Sequence, residues 1–198
     1  MTTLIVTDGS STQYPGDDTV LTEKQSQARA AAQTLGYDRV IQWHYPDMRL
    51  DTVPHAELSG AISKLVADEG FDTVFVHHHG DVNRDHREIH LATLVATRPT
   101  PDCPVRQVLA YEVNSSTEWG ARTIDTVFHP NVYVDISQTI DLKLDAMDSY
   151  VGELRDYPHP RSRQAILDRA RLRGQEVGVT AAEAFELLLL RASMHAQK

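Results

Sequence analysis

Apolar and polar positions along the first half of the chain fall into blocks with two different periods. Leu4-Ile5-Val6-Thr7 is a short continuous apolar run that breaks at Asp8-Gly9-Ser10-Ser11, as a buried strand entering a loop does. An Ala-rich, unbroken stretch over 21–35 predicts a helix, with Thr22 as an N-cap candidate and Gly36 just past its end. Val40-Ile41-Gln42-Trp43 reads as a second strand. Leu58, Ile62, Leu65 and Val66 then share one helical face that closes at Gly70, and Val74-Phe75-Val76 returns to strand. Strands alternating with helices in this way predict an α/β protein: a Rossmann-like, mostly parallel sheet with helices on both faces.

The second half continues less regularly. Residues 105–113 are rich in β-formers, 114–120 form a polar loop around Trp119, and Val132-Tyr133-Val134 reads as another strand. Ile136, Ile140, Leu144, Met147, Val151 and Leu154 repeat at steps of three and four, which predicts one long amphipathic helix ending before Pro158. Two further helices are expected over about 161–173 and 181–192, separated by Gly174 and Gly178. The expectation is thus a single domain over 1–198, with an α/β core to about 135 and a helical C-terminal part over about 136–198.

Composition narrows the function classes. The chain is 41% hydrophobic and 24% charged, ordinary for a folded protein, and no apolar run approaches the roughly 18 residues needed to cross a bilayer. A net charge of −9 argues against a phosphate-tracking nucleic-acid surface. A single Cys103 excludes an internal disulfide, and no signal-peptide pattern follows Met1, so a cytoplasmic protein is expected. Ten histidines are the unusual feature.

Four of those histidines crowd the stretch from Val74 to His86, where a strand ends in His77-His78-His79, turns at Gly80 and enters a helix near Asp85. In open α/β sheets ligands bind at the carboxyl ends of strands, so polar side chains are well placed there. The plain reading of 81–86 is a solvated turn in which Asp85 caps the next helix. A calcium loop is excluded, because the EF-hand spacing needs Gly and Glu where this chain has His86 and Ala92. His86 and His90 lie four apart and share a helical face, as two imidazoles of a zinc site must, although His90 equally fits a packing position. At most two of His77, His78 and His79 face one site, because side chains alternate along a strand.

The run His79-Gly80-Asp81-Val82-Asn83-Arg84-Asp85-His86-Arg87, followed by Ala96-Thr97-Arg98-Pro99, resembles a signature of the PIG-L (LmbE-like) zinc-dependent de-N-acetylases. The resemblance extends through Val6-Thr7-Asp8-Gly9, Glu112, Ser115-Ser116-Thr117-Glu118-Trp119, Phe128-His129-Pro130-Asn131-Val132, Pro158-His159-Pro160-Arg161-Ser162 and Ala182-Glu183-Ala184-Phe185. It implies a Rossmann-like fold and Zn2+ as cofactor. It also implies a reaction in which a metal-bound water attacks the acetamide of a small N-acetylglucosamine-type substrate. His86 would be a metal ligand, and Asn83 and Asp85 would either support that ligand from behind or stand on the oxyanion side of the reacting carbonyl. Lys24, Asp47, Asp81, His159 and Arg161 would line the sugar site, the last two equally well a Pro-fixed turn.

One departure carries weight. The family's His-Pro-Asp-Asp motif, source of two further ligands and the general base, occurs nowhere in this sequence, and His44-Tyr45-Pro46-Asp47 follows the wrong strand to replace it. The expectation is an N-terminally shortened amidohydrolase that is inactive by itself. The rival is a non-catalytic relative that binds a sugar or pairs with another chain, a homo-oligomer included. A nucleotide-binding Rossmann domain is a weaker third reading, since no G-x-G-x-x-G follows any strand.

Overall fold

The computed structural model describes residues 1–192. Its elements run β1 (Thr2–Thr7), α1 (Asp18–Thr34), β2 (Arg39–Tyr45), α2 (His55–Glu69), β3 (Thr73–His77), α3 (Arg84–Ala96) and β4 (Gln107–Tyr111). They continue through β5 (Val132–Asp135), α4 (Ile140–Asp148), α5 (Arg163–Val177) and β6 (Ala182–Leu190). The chain divides into two compact units, one built from 1–50 and 133–183, the other from 51–132 and the chain from Ala184 onward.

In the first unit β1 and β2 pair in parallel, Thr3 opposite Val40 and Leu4 opposite Ile41. Helix α1 turns the small side chains Ala28, Ala31 and Ala32 inward, and Val6, Leu144, Ile166 and Ala170 are buried with them. Its N-cap is Asp17, whose carboxylate accepts from the Thr19 and Val20 amides. Thr22, the candidate by sequence, lies inside the helix and donates to the Asp18 carbonyl instead. Gly36 follows α1 at φ +68°, and Gly70 caps α2 at φ +67°, left-handed conformations that glycine adopts without penalty.

In the second unit β3 and β4 pair in parallel, Phe75 opposite Leu109, and β4 pairs antiparallel with β6. The order β3-β4-β6-β5 makes a four-stranded sheet, separate from the β1-β2 pair. Helix α3 packs on β3 and on α2. Leu58, Ile62, Val66, Val76, Val105, Val108, Leu109, Ala92 and Phe185 form this unit's buried core.

The mixed α/β class and the parallel strand pairs match the sequence expectation, while three C-terminal elements differ. The long helix expected over 136–154 is helical only as α4. Ile136 instead donates to the Ala181 carbonyl, and tight three-residue turns at Tyr150 and Glu153 preserve the apolar spacing beyond the helix. Gly174 lies within α5 rather than breaking it, and it is a close-packing position, since a Cβ there would stand 2.6 Å from the Val179 carbonyl oxygen. The helix expected over 181–192 is strand β6. The ladder with β4 overrides the helical propensity of its Ala, Glu and Leu residues.

Candidate functional site

The residues singled out by sequence fall into two groups, one in each unit. In the first unit the loops after β1 and β2 are stitched together: Thr7 donates to the Asp47 carboxylate at 3.1 Å, and the Asp47 amide donates to Ser11 Oγ at 3.2 Å. Thr12 adds a hydrogen bond to the Asp47 carbonyl. Lys24 reaches back along the same end, its Cδ 3.4 Å from where a Gly9 side chain would begin. The Lys24 ammonium pairs with Glu153 at 3.3 Å, and Arg161 pairs with the other oxygen of the same carboxylate. Burial alone would raise the Glu153 pKa, but the two cations outweigh it and hold it below the usual range. The Arg161 Nε is buried without a hydrogen-bond partner, and His159 Nδ1 accepts from the Arg161 amide at 3.1 Å.

The second group is built where β3 runs through His77-His78-His79-Gly80 into α3. Asn83 is the N-cap of α3: its side-chain oxygen accepts from the Asp85 amide at 2.9 Å. That bond occupies the Asn83 side-chain oxygen and leaves its amide nitrogen as a donor. Asp85, expected as the cap, lies in the first helical turn and is 5% exposed. Asp81 is 1% exposed and accepts from the Asn83 amide at 3.0 Å, from Ser116 Oγ, and from Thr117 Oγ1 at 3.2 Å. Its Oδ2 also takes His86 Nδ1 at 3.0 Å. Burial would raise the Asp81 pKa, yet the His86 and Ser116 bonds prevail and keep it low. Asp81 therefore faces inward, and its carboxylate fixes the His86 ring with Nε2 as the remaining ligating atom.

Beside this pair, His77 stacks on His86 with ring centroids 4.0 Å apart, and its Nε2 lies 3.1 Å from the Tyr111 hydroxyl. Burial, reinforced by the neighbouring His86, drives the His77 pKa down to about 3, so this imidazole is neutral and accepts from Tyr111. Ser116, Thr117, Tyr111 and Glu153 are the participants sequence reasoning missed, while His77 was a candidate whose direction the sequence left open. Ser116 and Thr117 were visible within the 115–119 motif, but nothing local ties them to Asp81.

The neighbours of His86 decide whether it can hold a metal. An imidazole anchored through Nδ1 to a carboxylate is the usual arrangement of a metal-bound histidine. Among the described residues, however, the only group of three metal-type donors within mutual reach is His78, His79 and Glu186. His86 is thus oriented as a ligand without the companions a zinc ion needs, and the residues present at His86 do not make a zinc centre.

An α/β chain with polar side chains gathered at strand ends, and a carboxylate-anchored histidine opening the helix after β3, defines the class as a Rossmann-like α/β domain. Residues 1–97 match the PIG-L family, described as GlcNAc-PI de-N-acetylase. The family so described is one of enzymes, de-N-acetylases.

Solved structures show the same fold along the chain. A conserved protein from Thermus thermophilus is 22% identical, with a TM-score of 0.75 over 100% of this chain and 85% of that one. The N,N'-diacetylchitobiose deacetylase from Pyrococcus horikoshii is 18% identical, with a TM-score of 0.74 over 95% of this chain and 72% of that one. The 4-carboxy-2-hydroxymuconate hydratase from Pseudomonas putida is 17% identical, with a TM-score of 0.71 over 100% of this chain and 87% of that one. At these identities the likeness is one of fold, which evidently carries more than one reaction. Among curated proteins none matches the chain. No helix among the described residues is long and apolar enough to cross a membrane.

Proposed function

We propose that this domain serves zinc-dependent removal of an acetyl group from a small N-acetylglucosamine-type substrate, and that the 198-residue chain by itself does not turn over. The observation that carries the reading is the Asp81–His86 pair, which presents an oriented imidazole at the end of β3 in a chain that matches the PIG-L family over residues 1–97. In this reading His86 would be one ligand of the metal and the Asn83 side-chain amide would offer a hydrogen bond to the acetamide oxygen. Inactivity follows from the donor set, since one imidazole does not hold zinc for catalysis.

The test is an amine-release assay with the purified chain and added Zn2+ on a panel of N-acetylglucosamine derivatives, paired with ligand-detected NMR binding to the same compounds. The expected result is binding of an acetylated amino sugar, weakened by Asn83→Ala, with no release of amine. Turnover by the chain alone would overturn the inactivity. Failure to bind any acetylated amino sugar would overturn the substrate class.

The second reading is a non-catalytic sugar-binding relative. It is favoured by the same isolation of His86 from other donors, and it predicts that sugar binding is indifferent to chelators.

A further inference from the structure

We propose that His78, His79 and Glu186 form a binding site for a divalent transition metal of the Zn2+ class, distinct from His86. One donor atom from each lies within 4.8 Å of the others, a set of two imidazoles and one carboxylate. His2Glu is a known zinc donor set, and three protein ligands leave a further position open for water or a ligand.

Proximity alone would not carry this, since a histidine beside a glutamate is often only an ion pair. The anchoring of each ligand carries it. His78 Nε2 donates to the Thr126 carbonyl at 3.0 Å, and His79 Nε2 donates to the preceding carbonyl, that of Asp125, at 2.5 Å. A carbonyl oxygen only accepts, so both rings hold a proton on Nε2, and Nδ1 is left as the ligating atom of each. Glu186 is held in the same manner: the His129 amide donates to its Oε1 at 2.6 Å, leaving Oε2 for the site. All three side chains are therefore oriented from behind by main-chain groups of the 125–129 segment. This is the outer-shell pattern of metal-binding histidines and carboxylates.

His78 is fully buried and its Nδ1 lies 2.7 Å from Glu186 Oε2. Without metal, a proton on Nδ1 bridges the two groups. A dication replaces that proton, and the single negative charge of the glutamate offsets part of its charge. His79 is accessible to solvent and gives the ion a path in. The local backbone is fitted to the arrangement, since a side chain at Gly80 would begin 2.7 Å from His78 Nε2 and 1.9 Å from the Thr126 carbonyl oxygen. His86 stands apart from this set, its Nδ1 committed to Asp81 and its ring stacked on His77.

The experiment is metal binding by the full chain after chelator stripping, with Zn2+ by calorimetry and Co2+ by visible absorption. One saturable Zn2+ per chain is expected. His79→Ala and Glu186→Gln should each weaken it at least tenfold and abolish the Co2+ bands, while His86→Ala leaves both unchanged. Circular dichroism of each variant separates ligand loss from unfolding, and His79→Ala, at an accessible position, keeps the test valid if Glu186→Gln fails to fold. Absence of saturable binding, or binding lost with His86→Ala and untouched by His79→Ala, would overturn the site. Because occupancy is read without turnover, its failure is separate from failure of the deacetylase reading.

Discussion

Asp81 and His86 are joined by a 3.0 Å hydrogen bond across the turn that links β3 to α3, and the buried end of that bond is fixed by Ser116 from a loop 35 residues further on. The carboxylate takes donors from Ser116, Thr117, His86 and the Asn83 amide, so it uses its acceptor capacity fully and has no need of solvent. An amide in its place has one accepting oxygen and a donating NH2, and at least one of those donors must then face another donor. Asp81→Asn is expected to destabilise by about 1–3 kcal/mol, the cost of a buried unsatisfied group. For a chain of this size that corresponds to a fall in Tm of about 2–4 °C per kcal/mol. Thermal unfolding followed by circular dichroism measures it, and Ser116→Ala combined with Asp81→Asn should cost less than the sum of the two.

Gly80 and Gly60 make a contrasting pair. A Cβ on Gly80 would lie 1.9 Å from the Thr126 carbonyl oxygen, a backbone atom that cannot swing aside, whereas a Cβ on Gly60 meets nothing within 4 Å and lies in α2. Gly80→Ala should therefore destabilise by about 1–3 kcal/mol or more through overpacking. Gly60→Ala should stabilise by about 0.5–1 kcal/mol by removing a helix-interior glycine. Urea midpoints of the two variants shifting in the same direction would contradict this account.

The Lys24–Glu153–Arg161 cluster gives a pH dependence with a defined sign. The folded pKa of Glu153 lies below its ordinary value of 4.5, so its contribution to stability is present above that pH and disappears as pH falls through the lowered value. The carboxylate is about one-third exposed, which screens the pair and keeps the effect below about 1 kcal/mol. Glu153→Gln should be slightly less stable than the parent chain at about pH 7, with the difference narrowing below pH 4.5. Paired denaturant titrations at about pH 7 and about pH 3.5 measure that convergence.

What the sequence disclosed and what it withheld follow from how local each signal is. Helices α1 and α2 were legible because their apolar spacing and their closing glycines, Gly36 and Gly70, act within a few residues. The strand-to-helix turn with His86 was legible for the same reason and was sharpened by family resemblance. Strand β6 was not, because Ala182 to Leu190 has helical composition and becomes extended only by pairing with β4, far earlier in the chain. With β6 read as a helix, Glu186 could not be placed beside His78, which stands 108 residues before it. Ser116 was hidden from Asp81 likewise. Caps fell between these cases: Asp17 and Asn83 each precede the residue the sequence favoured, since several polar residues compete at each helix start.

Asn83 carries two separable roles, and two substitutions divide them. Its side-chain oxygen caps α3 through the Asp85 amide, while its nitrogen is the donor proposed for the acetamide oxygen. Asn83→Ala removes both and should cost about 1 kcal/mol of stability, the usual loss for a cap. Asn83→Asp keeps an oxygen for the Asp85 amide, and its negative charge suits the positive end of the helix, so the fold should be as stable as the parent. Its carboxylate nevertheless accepts only and repels a carbonyl oxygen. Binding of an acetylated amino sugar should therefore weaken in both variants, by about 1–3 kcal/mol or roughly fivefold to 150-fold, with stability impaired only in Asn83→Ala. Thermal melts and NMR titrations of the two proteins measure the pair of quantities. If Asn83→Asp bound the sugar as well as the parent chain does, Asn83 would be a cap and nothing more.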